Sequence, residues 1–392
     1  MSVVMNGEAL RVASEFRLVR NGRFVVAELQ VPHRVLSTSA RNGGQREGLR
    51  YLVNHQSCEG TDHRERHAQI TGGEAYHDAA CREIEIDPVV SAVMQTAANM
   101  NYAAVVAASD LNVTVTAVVT AGVHGNAACA GDPALWRETE SGWEKAVAAA
   151  PGSGLGSVTG TINTMLLISH ALTEGAIARA VITMTEAKSA ALQRLAVRSL
   201  YSADFATGTG TDQYCVAARL GGDDGGAGVA KEFASTSPHS KLGELIGVAV
   251  RDATLEALRW QNGLEVSSTR FLFHALGRFG VREADFLTEL APLLSERELE
   301  LLKKNFQSVV YEPKVAAAAY AIAAVLDRIR VGTVPAGAAR DIFRQQAATL
   351  ATSLAARPGA WPEFYARLGD ADPEQAASGV YAAIAMGWSA KW

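Results

Sequence analysis

Side chains able to move protons or hold a carbonyl stand in or beside glycine-rich turns: His124, Thr161, Glu186, Lys188, Asp212 and His239. The turns themselves are Arg41-Asn42-Gly43-Gly44, Gly122 to Asn126, Gly160-Thr161-Ile162-Asn163, Thr183 to Lys188, and Ala206 to Asp212. Glycine lets backbone N–H groups come close to a ligand, and such groups stabilise an oxyanion. Amide hydrolysis needs a nucleophile or activated water, donors for the tetrahedral oxyanion and an acid for the leaving amine. Thr185 is expected to cap a helix over EAKSAALQRLAV, placing Glu186 where the helix dipole favours a carboxylate. Lys188, two positions on, does not share the Glu186 face, so the two would meet only at a common ligand or a third residue.

The turns are expected to close apolar strands, where a rigid sheet converges loops on one place. Residues 18–26 read as a hairpin around Asn21-Gly22, and Val35 to Thr38 as a strand entering the turn at Asn42. AAVVAAS, VTVTAVVT, TINTMLLIS and QYCVAARL read as further strands, and His239 to Trp260 as a helix. Residues 89–99 have helical spacing through Val90, Val93, Met94 and Ala97. ARAVITMT reads as a strand before the helix at 186; a single helix across 172–196 is the rival that periodicity leaves open. From about residue 264 glycine thins out and apolar positions recur at helical spacing, with helices expected over Ala316 to Arg330 and Ala338 to Ala356. The expected architecture is a layered α/β domain with a mixed sheet (1–263) and an all-helical domain (264–392). The helical part is expected to pack or oligomerise, with a lid over a cleft as the sharper alternative.

Residues 54–81, NHQSCEGTDHRERH…YHDAAC, concentrate histidine and cysteine. His63 and His67 are four apart, as are His77 and Cys81, so on helices each pair shares a face. With Cys58 they form a candidate set for Zn²⁺ or another divalent metal, and Tyr76 and Asp78 are polar neighbours. Gly60, Gly72, Gly73 and the lack of C-x-x-C favour solvated histidines and buried cysteines instead. A metal there would activate water.

Apolar residues make up 48% of the 392 and charged ones 20%, as in an ordinary soluble protein. A net charge of −5 carries no basic field for nucleic acid. Four cysteines are too few for a disulfide framework in this length, so a reducing compartment, the cytoplasm, is expected. The N-terminal stretch carries Glu8 and Glu15 without a signal-peptide pattern, and no apolar run reaches the ~20 residues of a membrane span. Gly152-Ser153-Gly154-Leu155-Gly156 lacks the G-K-[ST] ending of a phosphate loop, and no G-x-S-x-G elbow occurs.

In order and spacing, LSTSARNGG (36–44), Asn54, TAVVTAGVHGNA (116–127), GTINTMLLI (160–168), AVITMTEAKSAAL (180–192), ATGTGTD (206–212) and SPHSKLGELIG (237–247) resemble the adenosylcobinamide amidohydrolase family over residues 30–255. That resemblance implies cleavage of the amide joining aminopropanol to a corrin propionate, giving adenosylcobyric acid. The substrate itself carries cobalt. A flat, amide-fringed ring would need a broad cleft, with Thr159, Thr161, Thr183, Thr185, Thr207, Thr209 and Thr211 supplying hydroxyls; β-propensity alone would also explain threonines there. On motif position, the expected catalytic residues are Glu186, Lys188, Asp212 and His239. The expected substrate-binding residues are Asn42, Gly43, Gly44, Asn126, Thr161, Asn163, Thr185, Thr207 and Thr209. Two alternatives stay open: a corrinoid carrier without chemistry, and a metal-dependent amidohydrolase acting on another amide. Ser237-Pro238-His239 has serine where the D-x-H-x-x-G cobalamin signature has aspartate, which argues against the familiar carrier mode. Partners are expected to be the corrinoid and, for the helical domain, a second copy of the chain.

Overall fold

A computed structural model describes residues 3–57, 73–146, 160–221 and 231–391. It divides into two compact units, residues 1–265 and 266–392.

The first unit holds two mixed sheets. Strands β1 (Glu8–Val12), β2 (Phe16–Asn21), β3 (Phe24–Leu29), β6 (Tyr51–Gln56) and β7 (Ser91–Thr96) form one, in that order. The other runs β5 (Gly44–Glu47), β4 (His33–Ser37), β15 (Gln213–Arg219), β13 (Ile162–Ile168), β9 (Val113–Ala121), β8 (Ala104–Asp110). β6–β7 and β13–β15 pair in parallel; the remaining neighbours in both sheets are antiparallel. Two short ladders lie outside these sheets: β10 (Ala127–Ala128) with β14 (Gly208–Thr209), and β11 (Trp136–Thr139) with β12 (Gly142–Lys145).

Period-2 alternation builds the layers. Leu18, Val25, Leu52 and Met94 of the first sheet meet Val35, Val118, Met165 and Leu167 of the second in one core. The opposite face of the first sheet, with Val19, Val26 and Val53, takes Ala80, Cys81 and Ile84 from the segment of helix α1 (Gly73–Glu83). The opposite face of the second, with Ala117, Val119, Leu166 and Val216, is covered by helices α2 (Glu174–Arg194) and α3 (Lys241–Asn262). The order is therefore α–β–β–α.

Two sequence expectations are corrected. Residues 89–99 form strand β7 after a short 3-10 turn, not a helix. Val93 and Met94 are apolar because β7 is buried on both faces, a pattern that mimics helical spacing over a few residues. ARAVITMT is not a strand, and Thr185 caps nothing. α2 runs unbroken from Glu174, and Thr173 is its cap, accepting from the Ala176 N–H. Ala176, Ile177, Ala180, Met184, Ala187 and Ala191 keep one stripe against the sheet, and that packing overrides the β-branched Val181, Ile182 and Thr183.

The second unit is helical: α4 (Leu272–Leu276), α5 (Glu283–Leu290), α6 (Glu296–Lys304), α7 (Phe306–Val310), α8 (Pro313–Arg330), α9 (Ala336–Ala355), α10 (Trp361–Arg367) and α11 (Ala376–Ser389). Phe286, Phe343, Phe364 and Trp388 fill its core. Trp388 donates its indole N–H to the Glu298 carbonyl at 2.9 Å, which satisfies the polar atom of a buried ring. Arg278 grips Asp327 through both terminal nitrogens.

Candidate active site

One end of the second sheet gathers the glycine-rich turns. β9 ends there, while β13 and β15 begin there, so the turns at 122–126, 160–161 and 208–212 are brought together by strand direction alone. The β10–β14 ladder then ties Ala127–Ala128 to Gly208–Thr209.

Asp212 is the organiser of this end. Its Oδ1 accepts from the Ile162 N–H at 2.9 Å and the Thr209 hydroxyl at 2.5 Å; its Oδ2 accepts from the Thr209 N–H at 3.1 Å and Lys188 Nζ at 2.5 Å. With donors on both oxygens, this carboxylate holds groups in place and has little capacity left to act as a base. Both side chains of the Lys188–Asp212 pair are mostly buried, 14% and 17% exposed, so water screens the pair poorly. An ammonium has three N–H groups, and among the described residues only Asp212 engages Lys188. The remaining donors are the positive end of the site.

A second knot lies beside it. The Asn126 side-chain N–H donates to Gly160 O at 3.1 Å and faces Thr211 Oγ1 at 3.4 Å, while the Tyr201 hydroxyl donates to Asn126 Oδ1 at 3.0 Å. Thr161 and Thr211 share a hydroxyl contact of 2.6 Å, and Thr211 donates to Gly160 O at 3.0 Å. Tyr201 is held by a loop that Asp132 anchors: Asp132 Oδ2 accepts from the Ser199 hydroxyl at 2.6 Å and the Cys129 N–H at 2.7 Å. Burial, with Asp132 nearby, pushes the Tyr201 phenol above its usual range, so its proton stays on and is available to Asn126.

Residues 9–266 match the adenosylcobinamide amidohydrolase family. The chain belongs to that family. An uncharacterized protein of Methanocaldococcus jannaschii is 35% identical over 195 residues, covering 49% of this chain and 71% of that one. All of the geometry above falls inside the family region.

Within this family member, the structure brings Lys188, Asp212, Thr209, Thr161 and Asn126 together and distributes the other candidates. Thr207 lies at the edge of the group, its hydroxyl accepting from the Ala130 N–H and its carbonyl from Ser189 Oγ. Glu186 and Thr185 are exposed on mid-helix α2; Thr185 donates to Val181 O, and Glu186 has no partner among the described residues. Glu186 therefore lies beyond the reach of the positive end of the helix dipole, since twelve residues of α2 precede it. His124 is exposed on the turn leading to Asn126. His239 is exposed just before α3, whose start lies in the field of Asp110 at the opposite end of the sheet. The other end of α3 reaches the site side, where Asn262 accepts from the Val123 N–H. With 22 residues at ~1.5 Å each, α3 puts roughly 30 Å between them.

Asn42 sits on the turn after β4 with φ 61°, and its side-chain N–H groups are directed at the carbonyls of Pro88, Val89 and Ser91, clasping the second sheet to the first. Gly43 lies against Ser39 O, where a Cβ would approach to 2.2 Å, and Gly44 has φ 75°. Asn163 is buried between the sheets, donating to Asn54 Oδ1 and Gln95 O. Thr183 donates to Thr236 O.

Cys58, His63, His67 and Thr159 lie outside the described residues. His77 and Cys81 share a face of α1 as their spacing requires, and both are buried. His77 Nε2 meets Pro88 O at 3.1 Å and Nδ1 meets Ser39 Oγ at 3.4 Å, so both ring nitrogens are engaged. Burial pushes the Cys81 thiol up to about 11. Among the described residues no group of three or more His, Cys, Asp or Glu is arranged to hold a metal ion.

Sequence reasoning overlooked Tyr201, Gln95 and Gln213. Gln213 Oε1 accepts from the Gln95 N–H at the edge of β7, closing the inter-sheet seam beside the site. The available signal was amide side chains inside apolar strands, which must find partners when buried.

Proposed function

We propose that this protein hydrolyses the amide joining aminopropanol to a corrin propionate in adenosylcobinamide, giving adenosylcobyric acid and the free amino alcohol. The family assignment supports the reaction class. The observation that carries the chemistry is the Lys188 ammonium, fixed by Asp212 and with N–H donors uncommitted among the described residues.

When water adds to the amide carbon, negative charge develops on the carbonyl oxygen. Lys188 N–H groups in this mostly buried place stabilise that charge more than they would in water, and Asp212 keeps them aimed without reorganisation. Collapse of the tetrahedral adduct breaks the C–N bond; the propionate keeps the water oxygen, and the amine leaves with a proton that came from the attacking water. The hydroxyls of Thr161, Thr209 and Thr211 line the same end and suit an amide-fringed ring.

Cys81 and Cys215 are free and buried, which supports work in a reducing compartment, the cytoplasm. Among the described residues no helix is long and apolar enough to cross a membrane.

Incubation of the purified protein with adenosylcobinamide, followed by mass spectrometry of the products, should show aminopropanol and adenosylcobyric acid in equal amounts. Folded protein that binds the corrinoid, seen as a spectral change, yet releases no amino alcohol would overturn the hydrolase reading in favour of a carrier.

A further inference from the structure

We infer that Thr161 Oγ1 accepts the N–H of the amide under attack, and that Tyr201 is the positioning residue that leaves it free to do so. The inference rests on the amide-hydrolysis reading above and adds the group that recognises the nitrogen side of the bond.

Hydrogen-bond direction decides it. A carbonyl oxygen only accepts: Gly160 O lies 3.0 Å from the Thr211 hydroxyl, whose single proton we place there, and 3.1 Å from the Asn126 side-chain N–H. Either hydroxyl can donate across the 2.6 Å Thr161–Thr211 contact; with the Thr211 proton at Gly160 O, Thr161 is the donor there. Its proton used, Thr161 Oγ1 keeps acceptor capacity only, and no other partner engages it among the described residues. The next residue, Ile162, donates its N–H to the Asp212 carboxylate that also holds Lys188. One carboxylate thus organises an acceptor and a donor. A secondary amide offers the complement: a C=O that accepts and an N–H that donates.

Tyr201 sets this direction. Its hydroxyl at Asn126 Oδ1 holds the side-chain amide with Nδ2 toward Gly160 O and Thr211 Oγ1. Without that donor the amide can turn, Asn126 Oδ1 can take the Thr211 proton, and Thr161 loses its fixed role.

The test compares adenosylcobinamide with an analogue in which an ester replaces the scissile amide and no N–H exists. Thr161→Val should lower kcat/KM for the amide by about tenfold, the scale of one lost hydrogen bond, while the ester changes less than about twofold. Thr161→Ser, which restores the hydroxyl, should recover the amide rate. Tyr201→Phe, which keeps the ring and does not depend on Thr161→Val folding, should shift the amide-to-ester ratio in the same direction. Equal losses on amide and ester, or no change on either, overturn the assignment while the hydrolase reading stands. Wild-type protein that turns over neither compound overturns both.

Discussion

A Cβ placed on Gly208 would lie 2.4 Å from Asp212 Oδ2 and 2.7 Å from Lys188 Nζ. The glycine is required by space, since nothing in its backbone conformation forbids a side chain. Lysine is long and can retreat, whereas Asp212 is short and fixed by several donors. Gly208→Ala should therefore separate the pair, lowering turnover of adenosylcobinamide at least ~10-fold while circular dichroism stays native. Wild-type turnover in that variant would show that the ion pair is not needed closed.

Removing either partner should have unequal effects. Lys188→Met deletes the proposed oxyanion donor but leaves Asp212 with three other hydrogen bonds. It should cost roughly 10²–10³ in kcat and about 1–2 kcal/mol of stability. Asp212→Ala leaves Lys188, Thr209 and the Ile162 N–H without their acceptor, and should be the more destabilising by about 1–3 kcal/mol. Urea denaturation of both variants decides the order.

His33 and His77 are buried, and burial holds both below the ordinary histidine value, with the Val31 and Pro88 carbonyls opposing that shift. His170 is shifted the same way, chiefly by burial. A lowered folded-state pKa means the unfolded chain binds more protons as pH falls. The stability these residues contribute is therefore complete above the unfolded value near 6.5 and is lost as pH drops through the folded values. Each contributes a slope of up to ~1.4 kcal/mol per pH unit in that window. Denaturation midpoints measured between pH 7.5 and 5 should fall, and His77→Gln should flatten the fall; an unchanged acid slope in that variant would remove His77 from this account.

Alkylation should be selective. Burial pushes Cys81 up to about 11 and Cys215 up to about 12, whereas Cys129 is only half-buried. Iodoacetamide at pH 8 should leave Cys81 and Cys215 unmodified in native protein and modify both after unfolding, read by peptide mass spectrometry. Rapid native labelling at either position would show that the sheet core opens readily.

Local pattern was enough for most elements. The Asn21-Gly22 turn, the runs that became β8, β9, β13 and β15, and the long helices α3, α8 and α9 were legible because each carries a clean period or a turn residue. β7 and α2 were misread because strands buried on two faces and helices rich in β-branched residues both blur the period. The metal-ligand candidates followed residue type, while His77 turned out to be engaged on both nitrogens.

By itself, the sequence determined which residues were available: amide and hydroxyl side chains set among glycines, a family signature, and a change to helical texture near residue 264. Tertiary structure decided which of them meet. Lys188 and Asp212 are 24 positions apart and touch because α2 returns along the second sheet to the end where β15 begins. His239, only 27 positions beyond Asp212, is held away because a long straight helix follows it. Sequence spacing fixes neighbours only within one element; between elements, strand direction and helix length set the distance, and those depend on packing across the whole sheet.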